Sequence, residues 1–263
     1  MLLFLFYIAA GVLVGLTSGL FGIGGGLIVV PALLPVFAHQ GLTDDVAVHM
    51  AIGSSMATII LTGLASARAH WQLGNILPEL LPALAGGLVL GSLLGAQVAA
   101  TIPGEILRTV FSLFVLVMAV RMVLGRQPDP HRPLPAKPVV ALVGGVIGVL
   151  SALVGIGGGS LVVPFLAWCG VAMRYAVGTS AAAGVAIAVA GTVGFMLAGT
   201  GDEALPPWST GYIYWPAVAG ITLASTVCAP VGARLATRVP GHLLRWAFAA
   251  FLVVVGLRLL FGG

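Results

Sequence analysis

The sequence predicts an all-α, polytopic integral membrane protein made of two homologous halves. Composition, the spacing of apolar runs and an internal duplication carry that prediction. Of 263 residues, 60% are hydrophobic and only 7% are Asp, Glu, Lys or Arg, whereas a soluble domain usually carries about 25% charged residues. Eleven bases and seven acids cannot cover a soluble domain of this length, which excludes a soluble enzyme, a nucleic-acid binder and a disordered chain. The 38 glycines and 16 prolines fit the same class, because both are commoner in membrane helices than in soluble ones. At roughly 20 residues per crossing plus loops, there is room for about eight to ten membrane segments.

The net charge of +4 does not point to nucleic acid. The bases stand at segment ends, as topology anchors do, and form no phosphate-binding stripe. Cys169 and Cys228 lie far apart in apolar runs with no CxxC or Cys/His cluster, so neither a metal nor any other cofactor is expected.

The duplication is read directly. Leu20-Phe21-Gly22-Ile23-Gly24-Gly25-Gly26 followed by Val29-Val30-Pro31 recurs as Leu153-Val154-Gly155-Ile156-Gly157-Gly158-Gly159 followed by Val162-Val163-Pro164, with nine of thirteen positions identical between 19–31 and 152–164. Ile52-Gly53-Ser54-Ser55 echoes Val177-Gly178-Thr179-Ser180, and Gly95 to Arg108 matches Gly232 to Arg245 at seven of fourteen positions. Three blocks in the same order divide the chain into a first half, 1–124, and a second, 139–263. The basic, proline-rich stretch 125–138 is the linker between them.

Each half opens with one long apolar helix. The first runs from Met1 to Leu20 without Lys or Arg; a signal peptide needs a basic start, so this stretch is read as a retained helix. GIGGG follows in each half, then a short apolar piece, Leu27–Ala38 or Leu161–Cys169. Three further helices are expected near 46–68, 77–101 and 105–124, then 173–198, 212–236 and 242–261. The short pieces cannot span about 30 Å at about 1.5 Å per residue, so they are half-helices, re-entrant or continued past a kink. Their broken backbone must be buried in protein or line a polar cavity.

The bases decide between topologies. If the half-helices do not change sides, the eleven bases divide six against five. If they do, the halves are inverted five-segment repeats, and nine bases share one side with only Arg108 and Arg258 opposite. The positive-inside rule favours the second arrangement. It places the linker in the cytoplasm of an inner-membrane protein, with both termini, Asp44-Asp45 and Asp202-Glu203 outside.

With duplicated GIGGG-x4-Pro blocks, two G-[ST]-S segments and a basic linker, the chain resembles the TauE/SafE family of sulfite and organosulfonate exporters along essentially its whole length. That resemblance implies export of a small sulfur oxyanion. The residues agree with anion handling: successive glycines let backbone N–H groups face a cavity, and a helix restarting after a break offers free donors and a positive dipole end. Discontinuous helices paired across inverted repeats are where secondary transporters bind substrate. The candidate substrate-binding residues are Gly22, Gly24, Gly25, Gly26, Ser54 and Ser55, with Gly155, Gly157, Gly158, Gly159, Thr179 and Ser180. Plainer readings stand beside them: glycines that permit tight packing, and hydroxyls that cap helices or join them. Ser18 and Ser151, one turn before the breaks, are weaker candidates.

His49 is a candidate proton or charge relay, with Arg174 at the related position of the second half; the milder reading, which we favour at this point, places both at the membrane interface. Gly87, Gly91 and Gly95, matched by Ala224, Cys228 and Gly232, read as a ridge for close packing between halves or protomers. Gly199-Thr200-Gly201-Asp202 fits the GxGD of intramembrane aspartyl proteases, but Asp202 lies in a polar loop and no second aspartate stands inside a span. GIGGG has no preceding strand, as a nucleotide loop would require. The function expected is therefore a secondary transporter of a small anion in the lipid bilayer, with H+ or Na+ as a candidate coupling ion, a homodimer as a candidate assembly and no nucleic-acid partner. A membrane enzyme or assembly factor is the runner-up class, and an anion channel the third.

Overall fold

The structure, a computed structural model, describes residues 2–21, 25–124, 134–236 and 241–261. Among them are ten helices: α1 (Leu2–Phe21), α2 (Gly26–His39), α3 (Asp44–Gln72), α4 (Leu81–Thr101), α5 (Gly104–Leu124), α6 (Lys137–Val154), α7 (Gly159–Trp168), α8 (Met173–Ala198), α9 (Trp215–Ala236) and α10 (Gly241–Phe261). An antiparallel ribbon of β1 (Ser209–Thr210) and β2 (Ile213–Tyr214) lies before α9. Helices α3, α4, α5, α6 and α8 are long and apolar enough to cross a membrane, as the composition predicts. The order long, short, long, long, long appears twice.

Local chemistry sets the boundaries. Thr43 caps α3 by accepting from Val46 N–H, and Asp44 and Asp45 fill its first turn, where negative charge suits the helix dipole. This helix runs on past the expected stop at 68 because nothing breaks it before Gly74, which takes φ +66. Helix α4 starts at Leu81 rather than 77, after the turn at 78–80 that contains Pro78. Helix α9 starts at Trp215 rather than 212 because the ribbon takes the preceding residues.

The halves are interlocked. Helix α1 packs along α9, with Gly11 against Ile221 and Ala224 and Gly15 against Ser225 and Cys228. Helix α6 packs along α4 in the matching way, with Gly87 against Ala141, Gly91 against Gly145 and Gly95 against Val149. A Cβ on Gly91 would run into the Gly145 carbonyl oxygen, so the small-residue ridge is a contact between halves. Both of these pairs run parallel. The repeat mates α3 and α8 run antiparallel, with Gly53 facing Phe195, Gly191 facing Met56 and Gly63 facing Val185. So do α5 and α10: Gly256 faces Ser112 and Leu116, while Arg258 shares a cavity with Arg108. Antiparallel mates are what inverted repeats require.

Following the chain resolves the part played by the short helices. Tyr7 near the start of α1 accepts a hydrogen bond from Gln40 just after α2, so α2 returns to the end from which α1 set out. Asp44, Asp45, Glu105, Asp202 and Glu203 gather at that end, which we call the acidic end, with Arg108 and Arg258. The antiparallel and parallel pairings carry Arg68, Arg121, Lys137 and Arg174 to the far end. This is the segregation of charge that the five-plus-five reading anticipated. Residues 125–133 of the linker lie outside the described residues.

Candidate substrate site at the paired helix breaks

The two breaks meet. Helix α6 ends at Gly155, whose φ of +71 is the left-handed conformation that glycine adopts without a Cβ penalty. A Cβ placed on Gly26 would lie 2.6 Å from the Gly155 carbonyl oxygen and 3.0 Å from Ile156 Cα. Helix α2 runs from this point toward the acidic end, and α7 runs toward the far end. At about 1.5 Å per residue, their lengths place the break about 21 Å from one end and about 15 Å from the other. Two helix N-termini, each with unpaired N–H groups and a positive dipole end, therefore converge near mid-depth.

Around them the described glycines of both breaks are closely packed. Gly25 and Gly158 are the N-caps of α2 and α7. Gly25 lies against Val14, Gly157 against Ile59 and Gly158 against Ile187, while Gly159 donates its N–H to the Gly157 carbonyl. Gly22 and Gly24 lie outside the described residues, and nothing is described of the Ser18 side chain.

The hydroxyls fall into two groups. Ser55 Oγ donates to the Gly155 carbonyl at 2.8 Å, tying α3 to the second break. Ser54 Oγ accepts from Tyr214 N–H at 2.9 Å, and Thr179 Oγ1 accepts from Leu77 N–H at 2.9 Å. These last two bonds are repeat mates: each half uses one hydroxyl to hold the segment that precedes the fourth helix of the other. Both oxygens act as acceptors there, so their own O–H groups remain as donors. Ser180, Ser151 and Ser160 carry buried hydroxyl oxygens with no hydrogen-bond partner. A polar group left unsatisfied in the interior costs about 1–3 kcal/mol; Ser151 and Ser160 flank the second break, at the end of α6 and the start of α7, and Ser180 lies in α8. Ser160 is absent from the sequence-based candidates. Its signal was available, since it follows GIGGG directly where the first half has Leu27.

His49 and Arg174 are not brought together. Arg174 is exposed in the first turn of α8 at the far end, lying over the Tyr175 ring at 4.7 Å. His49, near the start of α3, is 2% exposed, enclosed between Asp45, Ala99 and the Tyr212 ring. Tyr212 donates to Asp202; burial and then the Asp202 carboxylate push its phenol above the ordinary range. Asp202 also accepts from Ala204 N–H, which gives this loop acid a structural part.

A cavity of about 330 Å³ opens at the acidic end, lined by Pro31, Leu34 and Pro35 of α2 with Asp44, Arg108 and Arg258. Asp44 and Arg108 form an ion pair at 2.9 Å. The cavity lies beside α2, away from its broken end.

A family model described as "Sulfite exporter TauE/SafE" matches residues 7–259. The chain belongs to the TauE/SafE family. A probable membrane transporter protein of Haemophilus influenzae is 36% identical over 95% of both chains. A probable membrane transporter protein of Methanocaldococcus jannaschii is 28% identical over 96% of this chain and 94% of its own. Another, YdhB of Bacillus subtilis, is 28% identical over 95% and 97%. No solved structure matches the chain. Membership of TauE/SafE and the names of these relatives make this a multi-pass membrane transporter, and the enzyme reading gives way to it. The TauE/SafE match spans both GIGGG breaks and both hydroxyl pairs.

Proposed function

We propose that this transporter moves a small sulfur oxyanion, of the sulfite or sulfonate kind, out across the inner membrane, binding it between the two glycine breaks. The convergence of two helix N-termini beside buried hydroxyls without partners is the observation that supports this most. An anion taken from water into such a site costs several kcal/mol unless donors replace its hydration shell. Each charge-assisted hydrogen bond returns roughly 1.5–3 kcal/mol, so several donors must converge, and Ser54, Thr179, Ser180, Ser151 and Ser160 supply them beside the backbone N–H groups. The closed packing at the breaks belongs to an occluded state of alternating access.

Radiolabelled sulfite and methanesulfonate should enter inverted vesicles that contain the protein, faster than vesicles that lack it, and unlabelled anion should compete. Uptake equal to that of protein-free vesicles for both anions would refute this reading.

The orientation is tested separately. We place the linker in the cytoplasm and the acidic end outside. In a background without Cys169 and Cys228, cysteines at Asp45 and Glu203 should react with an impermeant maleimide from outside, and one at Gln127 only from inside. Reaction of Gln127 and Asp45 positions from the same side would overturn the inverted topology.

A further inference from the structure

We propose that His49 is a proton-binding site, and that its bound proton locks α3 to α4 and to the α8–α9 connector at the acidic end. The argument begins with the imidazole's two nitrogens. Nδ1 is 2.6 Å from the Asp45 carbonyl oxygen and Nε2 is 2.9 Å from the Ala99 carbonyl oxygen. A carbonyl oxygen only accepts, so both ring nitrogens must donate. A neutral imidazole has one N–H; its other nitrogen would aim a lone pair at a carbonyl lone pair. Only the imidazolium satisfies both contacts.

The surroundings suit that cation. Ala99 stands in the last turn of α4, where the carbonyl end of the helix dipole favours positive charge. The Tyr212 ring centroid is 5.1 Å from that of His49, within the range where an aromatic face attracts a cation. The titratable groups at this end favour it as well. On α3 itself stand Asp44, paired with Arg108 of α5, and Asp45, which accepts from Gly104 N–H. Glu105 begins α5, Asp202 and Glu203 lie in the α8–α9 connector with Tyr212 and Tyr214, and Tyr7 of α1 bonds to Gln40. His39 ends α2 and Arg258 lies near the end of α10. Helix α4 contributes Gln97 and Thr101 near its end, and no titratable side chain. Carboxylates thus outnumber the arginines.

The proton has a mechanical consequence. His49 touches Tyr212, and Ser54, five residues further along α3, holds Tyr214 N–H. Loss of the proton turns one of the two carbonyl contacts repulsive and releases α4 from α3, loosening the segment that Ser54 clamps beside the break. Binding and release of this proton therefore bias the opening of the acidic end. Coupling of that step to anion movement rests on the transport reading above.

Histidine ¹⁵N NMR on the purified full-length protein tests the site without any substrate. At neutral pH the resonance that disappears in His49→Gln should show both ring nitrogens protonated; one unprotonated nitrogen overturns the proposal. Proteoliposomes holding a trapped pH dye test the coupling. A gradient of methanesulfonate, which brings no titrating proton of its own, should drive proton flux in the wild type, and the ratio of proton to anion flux should collapse in His49→Gln. An unchanged ratio in the variant overturns the coupling. If neither methanesulfonate nor sulfite exchanges in the wild type, the anion reading fails, and the NMR result still decides the proton site.

Discussion

Gly26→Leu is expected to abolish anion transport while leaving a protein that inserts and purifies as the wild type does. At Gly26 the first carbon of any side chain meets backbone, the Gly155 carbonyl oxygen at 2.6 Å and Ile156 Cα at 3.0 Å. Backbone on the far side of a break cannot rotate away as a side chain can. Overpacking a well-filled interior costs about 1–3 kcal/mol even where neighbours adjust, and here the adjustment available is to push the two helix N-termini apart. That is the geometry on which the proposed site depends. Gly158→Leu should act in the same direction from the other side, though its first contact is the flexible end of Ile187, so a smaller substitution there would be tolerated better. Gly86→Leu is the control: it adds the same side chain to the same chain at an exposed helical glycine with nothing within 4 Å. Transport assays on the three variants, with size-exclusion profiles to establish folding, check this. Wild-type kinetics in both Gly26→Leu and Gly158→Leu would reduce the GIGGG segments to packing devices.

The position of the breaks was legible because their chemistry is local. Five residues with four glycines, flanked by apolar runs too short to span, announce a discontinuous helix in one dimension, and the copy in the second half announces its partner. Charge at segment ends likewise foretold which helix ends share a side. What the sequence does not carry is pairing. That α1 lies along α9, and α4 along α6, follows from the fit of Gly11 and Gly15, or of Gly87 and Gly91, into a facing backbone, and such complementarity has no signature in either helix alone. The hydroxyl pairs show the same limit: G-[ST]-S marks a polar spot in an apolar run, but the acceptor role of Ser54 and Thr179 depends on connectors more than a hundred residues away. The enclosure of His49 shows the limit once more. Its place near the start of an apolar helix is plain in the sequence, but Ala99 and Tyr212, which enclose it, come from other elements.

Thr179→Val should weaken anion affinity by about one to two orders of magnitude, the equivalent of losing one charge-assisted hydrogen bond of about 1.5–3 kcal/mol. Valine keeps the branched shape, so packing at this fully buried position changes little. It removes two functions of the hydroxyl at once. Leu77 N–H loses its acceptor, which should lower thermal stability, and the O–H that Thr179 can offer to an anion disappears. Thr179→Ser separates these from loss of the methyl, since it keeps acceptor and donor and should bind anion much as the wild type does. Thr192→Val supplies the remaining control. Thr192 is also a buried threonine of α8, but its hydroxyl donates to Ala188 of its own helix, so its loss should leave affinity unchanged. Competition binding of sulfite in detergent, beside melting curves for the three variants, distinguishes the outcomes. Equal affinity in Thr179→Val and the wild type, with only the melting point lowered, would make Thr179 a clamp for the α3–α4 connector and remove it from the substrate site.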